Sequence, residues 1–300
     1  MDRNLRSILA GEQLEHLFEA FTDQGVRDSI LCELSEGDLK DIGIEKVGER
    51  KRLLAAFKAA AAGESAPFMG DFCRVDGGVL PASSGLGPVE VSTFYIGKYP
   101  VQWGEFEQVR DWSVANKGYD LDGVGAGNGS NYPVTDVTWY QALKWCNARS
   151  EREGKTPVYK LSDGAVYRTG ELVPEVDTSA DGYRLPSEKE WEWAARGGTQ
   201  TKGYTYSGSD DIDAAVWYNG NSGGGTQLVG TKAASELGMH DMSGNVWEWC
   251  FDIYSGTNRV FRGGSGSYNG DYCAVGTRNF NDPADCDCDY GFRAALSSAP

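Results

Sequence analysis

The stretch NFNDPADCDCDYGFR, residues 279–293, alternates acid and thiol through Asp285, Cys286, Asp287, Cys288 and Asp289. Metal binding and redox exchange are the chemistries such a pattern raises. A zinc site draws on four ligands, commonly as two C-x-x-C-like pairs, whereas here one C-x-C stands among hard oxygen donors. If the segment is extended, the period of two sends both cysteines to one face and the three aspartates to the other. The spacing therefore favours exposed side chains of an irregular loop, with one face free to meet a ligand. Cys32, Cys73, Cys146, Cys250 and Cys273 complete an odd set of seven cysteines scattered along the chain. Reduced thiols are expected, not a disulfide framework. His16 and His240 stand in no nucleophile or metal pattern.

The elements that position this loop are short. WYQALKWCNARSEREG, 139–154, carries Trp139, Ala142, Leu143, Trp145 and Cys146 as an apolar helical stripe ended by Gly154. In PSEKEWEWAARGG, Ser187 and Glu190 make a capping box and Gly197 sits where a left-handed terminator belongs. VEVSTFYIGKYPVQW, 89–103, reads as strand. With 40 glycines and 9 tryptophans, this part of the chain is expected to be an α+β domain of ordered loops pinned by aromatic anchors.

Residues 10–62 differ: Leu14, Leu17, Phe18, Phe21, Ile30, Leu31, Leu34, Leu39, Ile42, Leu53, Leu54 and Phe57 recur at helical spacing between polar joints. That predicts an all-α bundle, with Ser35 capping one short helix. AAAAGESAP, 59–67, has linker composition, so the domains are set at 1–65 and 66–300. A net charge of −16 repels a phosphate backbone, and the N-terminal residues hold neither a signal-peptide core nor a membrane span. Nucleic acid and membrane are excluded as partners on this reading, and the cytoplasm is the expected address.

LCELSEGDLKDIGIEKVGERKRLLAAF resembles the second half of a sterile alpha motif domain. That resemblance implies self-association, or pairing with a similar domain, through residues 10–62. Glu33, Glu36, Asp38 and Asp41 would form an acidic face and Arg50, Lys51 and Arg52 a basic one, suited to head-to-tail contact.

PVTDVTWYQALKWC, YRLPSEKEWEWAARGG, ELGMHDMSGNVWEWCFD, RVFRGGS and GFRAAL occur in that order between residues 133 and 296. Together they resemble the formylglycine-generating-enzyme, or sulfatase-modifying factor, family, whose fold is C-type-lectin-like. The oxidase members hold monovalent copper with two cysteines in the segment after GGS. In register, Cys273 falls on the second and Tyr268 on the first, so no copper is expected, because paired sulfur ligands select that ion. The resemblance also implies a structural calcium on Asp241, Gly244, Val246 and Glu248, whose oxygen donors suit the ion.

Variable proteins of diversity-generating retroelements share this fold and keep RVxRGGS and GFR around a segment rewritten at adenines. Mutated AAC codons never encode Met, Trp, Lys, Glu or Gln, and residues 266–290 contain none of them. Asn269, Asn279, Asn281 and Pro283 stand where such templates have them. Ser267, Tyr268, Tyr272, Asp285, Asp287, Cys288 and Asp289 fall on common template asparagines, and Asp271, Thr277, Phe280, Asp282 and Cys286 complete the expected ligand-binding set. Gly266 departs from the tryptophan common there.

The resulting expectation is a non-enzymatic recognition protein that binds a ligand of protein class. Tyr268, Tyr272, Asn279, Asn281, Asp285, Asp287 and Asp289 should then share one solvent-facing patch. A copper oxidase acting on peptide cysteine and a purely structural oligomer are the alternatives.

Overall fold

The computed structural model describes residues 21, 34–46, 50–51, 53–54, 57 and 72–297. The chain divides into two compact units, 1–69 and 70–300. In the first, helix α1 (Glu36–Asp41) starts at Ser35, whose side chain accepts from the Asp38 amide while Asp38 reaches back to the Ser35 amide. Phe21, Leu39, Ile44, Leu53 and Phe57 bury together. The charge-face expectation needs correction at Arg50: it is buried, donating to the Ile44 and Glu45 carbonyls at 2.7 Å, so it adds nothing to a basic surface. Glu33, Arg52, His16, most of the expected bundle and the 59–67 linker lie outside the described residues.

The second unit opens with β1 (Phe72–Val75), β2 (Gly78–Leu80), β3 (Val89–Val91) and β4 (Phe94–Gly97). Helices α2 (Trp103–Lys117) and α3 (Trp139–Arg152) follow, then the short strands β5 (Tyr159–Lys160) and β6 (Glu175–Val176). After α4 (Glu188–Ala195) and α5 (Ile212–Ala215) come β7 (Trp247–Ser255), β8 (Asn258–Arg262), β9 (Arg278–Asn281), β10 (Tyr290–Phe292) and β11 (Ala295–Leu296). One sheet runs β1-β4-β11 and a four-stranded one β10-β7-β8-β9, with β10 parallel to β7 and the other pairs antiparallel.

The expected stops and caps hold at residue level. Ser187 accepts from the Glu190 amide, and Gly154 and Gly197 take φ of 71° and 86°. Helix α2 was not anticipated, because its buried face is only Phe106, Val109 and Ser113. Trp139, Trp145, Trp191, Trp247 and Trp249 are fully buried, and indole N–H groups of Trp139, Trp145 and Trp249 donate to backbone carbonyls. Each of these three rings thus fills volume and holds a backbone carbonyl of a distant segment at once. Among the described residues no helix is long and apolar enough to cross a membrane.

Candidate ligand-binding surface

Segment 266–290 leaves β8 through RVFRGGS and returns through β10, and its side chains sort into two kinds. The first kind is locked into the scaffold. Gly264 takes φ +77°, and a Cβ there would lie 2.6 Å from the Cys273 sulfur. Cys273 is buried against Ala215 and Val216, and burial pushes its thiol up to about 12. Arg278 grips the buried Glu188 carboxylate with two nitrogens, at 2.5 and 2.8 Å, and Glu188 is shared with Arg262. The Pro283 and Asp287 carbonyls accept from the Trp139 and Asp136 amides, which ties the 282–289 loop to the start of α3.

Asp289 belongs with these anchors, contrary to the expectation that it faces solvent. It is buried, accepts from Ser265 Oγ at 2.6 Å, and receives the Trp247 amide on its carbonyl. Burial raises its pKa, and Asp287 and Asp136 push in the same direction.

The second kind is exposed or half-exposed: Ser267, Tyr268, Asn269, Asp271, Tyr272, Asn279, Asn281, Asp282, Asp285, Cys286, Asp287 and Cys288. Tyr268 and Tyr272 meet edge to face at 5.4 Å, and Tyr268 meets Trp247 likewise at 5.6 Å. From Trp247 the aromatic contacts continue to Phe261 and Tyr290, whose hydroxyl accepts from Asn281 Nδ2 at 3.0 Å. Asn279 and Asn281 lie opposite Phe261 and Arg259 across β8, hence on the same sheet face. Six of the seven expected patch residues are thus solvent-accessible, with buried rings linking the tyrosine pair to the end of β9.

Phe280 does not join them. It points to the opposite sheet face, stacked on Tyr254 at 4.3 Å and 42% exposed. Thr277 is half-buried with its hydroxyl on the Asp271 carbonyl.

Residues 219–226 form a rim that the sequence reading missed. The Asn219 amide donates to the Tyr268 carbonyl and Asn219 Nδ2 to Asn269 Oδ1 at 2.7 Å, while Ser222 Oγ donates to the Gly266 carbonyl. A Cβ on Gly266 would come within 2.4 Å of the Gly225 carbonyl, so this loop occupies the space a tryptophan would need. The run NSGGG at 221–225 was the available signal, since glycines permit such close backbone approach.

Cys286 and Cys288 are both exposed. Partial burial raises the Cys286 pKa, with Asp136, Asp285 and Asp287 adding to it; for Cys288 a hydrogen bond with Asp287 is the leading cause. Thiols held protonated are poor nucleophiles and poor metal ligands. Both stand apart in environment from Cys273, which is buried against Ala215 and Val216.

The calcium donors implied by the family resemblance lie in the 241–248 turn. Asp241 suits a cation: it is buried, takes φ 56°, accepts from the Gly230 amide, and burial lifts its pKa to about 6. Glu248 does not. Its two oxygens receive Arg293 Nε and Nη2 and the Trp191 indole N–H at 2.6–3.2 Å, which uses the lone pairs an ion would take. The Gly244 carbonyl accepts from the Val246 amide. As the chain is folded, the expected donor set does not fit calcium. Arg293 supplies the positive charge instead, with its remaining donors on the Gly97 and His240 carbonyls at 2.8 Å. His240 stacks on Tyr99 and has Nδ1 3.0 Å from the Lys232 carbonyl.

Residues 70–298 match the sequence model of the sulfatase-modifying factor enzyme 1-like domain, and residues 5–60 that of the sterile alpha motif domain. The chaperone protein LppX of Paenibacillus barcinonensis is 33% identical over 255 residues, 72% of this chain and 88% of LppX. Among solved structures, CarF superposes with a TM-score of 0.68 at 28% identity, covering 76% of this chain and 98% of CarF. Treponema denticola variable protein 1 superposes with a TM-score of 0.62 at 30% identity, covering 76% and 94%. With this much of its length matched, the chain belongs to the sulfatase-modifying factor enzyme 1-like family.

Proposed function

We propose that this chain is a recognition protein whose 266–290 segment is diversified by a retroelement and binds a protein ligand. The observation that carries the reading is the sorting of that segment. Residues of the type adenine mutation yields occupy its exposed positions, while Cys273, Val275, Arg278, Pro283 and Asp289 are held by the scaffold. A randomised surface needs this division, because exposed substitutions cost little stability and buried ones cost much. Tyr268 and Tyr272 act as rigid aromatic anchors, and the asparagines and aspartates as adaptable polar contacts. The likeness to a structure titled a variable protein supports the same reading. The 1–65 region serves as an adaptor or self-association domain, which would add avidity to a weak displayed contact.

Its direct test is genomic. The reading expects a nearby copy of the 3′ coding end bearing adenines at the exposed positions, beside a reverse transcriptase gene. A neighbourhood with neither contradicts it. The family's enzymatic name keeps one rival in view, a copper oxidase acting on peptide cysteine. Stoichiometric monovalent copper bound through two thiolates by the reduced protein would favour that rival. A purely structural oligomer would instead lose function on truncation of residues 1–65 and keep it when 267–288 is scrambled.

A further inference from the structure

β9 ends the four-stranded sheet, so among the described residues one side of its backbone has no partner strand. An open edge of this kind is a template for another chain, and proteins commonly blunt it. Here the blunting is done by asparagine. The Phe280 amide donates to Asn279 Oδ1 at 2.9 Å, and the Asp282 amide donates to Asn281 Oδ1 at 3.0 Å. Both amides are turned away from β8, and each is covered by the side chain just before it. The two covering residues are the ones placed at mutable positions.

Two further features flank the edge. Phe280 is 42% exposed, its ring stacked at 4.3 Å on Tyr254, which reaches it from β7 over one face of the sheet. At its C-terminal end stand Asp282, Asp285 and Asp287, all exposed and without an ion-pair partner among the described residues. A strand laid along β9 would thus meet the exposed Phe280 ring and uncompensated negative charge at one end.

We propose that β9 is a docking edge for an extended, lysine- or arginine-bearing segment of a protein ligand, and that Asn279 and Asn281 gate it. The proposal rests on the recognition reading above and adds how the ligand is held. Main-chain hydrogen bonds to the Phe280 and Asp282 amides supply affinity that does not depend on displayed side chains. The carboxamides compete for those same donors. Diversification at 279 and 281 then does more than change a contact: any outcome lacking a suitably placed acceptor uncovers a backbone donor. A neutral carboxamide or hydroxyl at these positions sets how readily a strand is accepted, while the aspartates select its charge.

The probe is the peptide acetyl-Lys-Thr-Val-Thr-Val-Lys-amide, added to the full chain and followed by fluorescence anisotropy and by amide hydrogen exchange. The Asn279→Ala/Asn281→Ala variant is expected to bind about tenfold more tightly than the parent, the gain from two donors no longer shared. Exchange at Phe280 and Asp282 should slow on binding. N-methylation of alternate peptide amides should abolish binding, as should Phe280→Pro, which removes one outward donor at an edge position that tolerates proline. Replacing both lysines by glutamate should weaken it. Equal affinity of parent and double variant, or binding indifferent to N-methylation, would overturn the proposal. Should Phe280→Pro lose its near-ultraviolet dichroism, the N-methylated peptide still decides. Failure here alongside intact tolerance to substitution at 267–288 would remove strand docking and leave the recognition reading standing.

Discussion

Arg278 and Asp285 belong to one segment but live under different physics. The Arg278 side chain is two-thirds covered and tied to Glu188, itself 95% covered on its side chain, so its loss leaves that buried carboxylate to Arg262 alone. Asp285 is exposed and held chiefly by its backbone, whose amide reaches the Asp282 carbonyl. A segment can therefore be variable in side chain and invariant in path, because its anchors are bonds to the scaffold and its displayed groups are not.

Substitutions on either side of this divide should differ by several kcal/mol. The largest effect is expected at Arg293→Ala, which leaves Glu248 buried and unpaired. The cost should be about 3–5 kcal/mol by urea unfolding, and a loss below about 1 kcal/mol would show that the pair is not closed in solution. Gly264→Ala comes next, since φ +77° and the nearby Cys273 sulfur both oppose a side chain. A loss of about 1–3 kcal/mol is expected there. Cys273→Ala should recover only the part due to the sulfur, because the Cys273 Cα and the Tyr272 carbonyl still stand 2.9 Å from the new Cβ.

Asp289→Asn sharpens the comparison through pH. Because burial raises the folded-state pKa of Asp289, its neutral form is favoured in the fold. Its favourable contribution is therefore present below the ordinary carboxylate range and is lost as pH rises through the raised value. The variant should gain on the parent in melting temperature as pH rises from the ordinary carboxylate range through the raised value. A gap that stays constant across that range would place Asp289 in solvent. Asp285→Ala and Cys288→Ser should change stability by no more than about 0.5 kcal/mol. Chelation of calcium by EGTA should leave the melting temperature unchanged, and a drop would mean that Arg293 yields Glu248 to an ion.

Much of this was legible in sequence where local chemistry decides. Ser187 with Glu190, and the glycines at 154 and 197, announced caps and left-handed turns because those residues have few other uses. Helix α2 escaped because three buried side chains over four turns leave no stripe to read. At the candidate site, the segment and its exposed tyrosines and asparagines were foreseen. Asp289 was not separated from Asp287, because neither burial by Ser265 nor the tie to Trp247 has a local signature. The Glu248–Arg293 pair joins residues far apart in sequence, which is why oxygen donors alone suggested an ion. The 219–226 rim shares no periodicity with the segment it supports.

The account's central claim is that segment 266–290 is a scaffold path carrying replaceable side chains. Saturation substitution across it, scored by the folded fraction of each variant, tests that most directly. The predicted result is broad tolerance at 267–269, 271–272, 279, 281–282 and 285–288, with intolerance at 273, 275, 278 and 289. Uniform tolerance, or intolerance concentrated at Tyr268, Asn279 and Asp285, would contradict it.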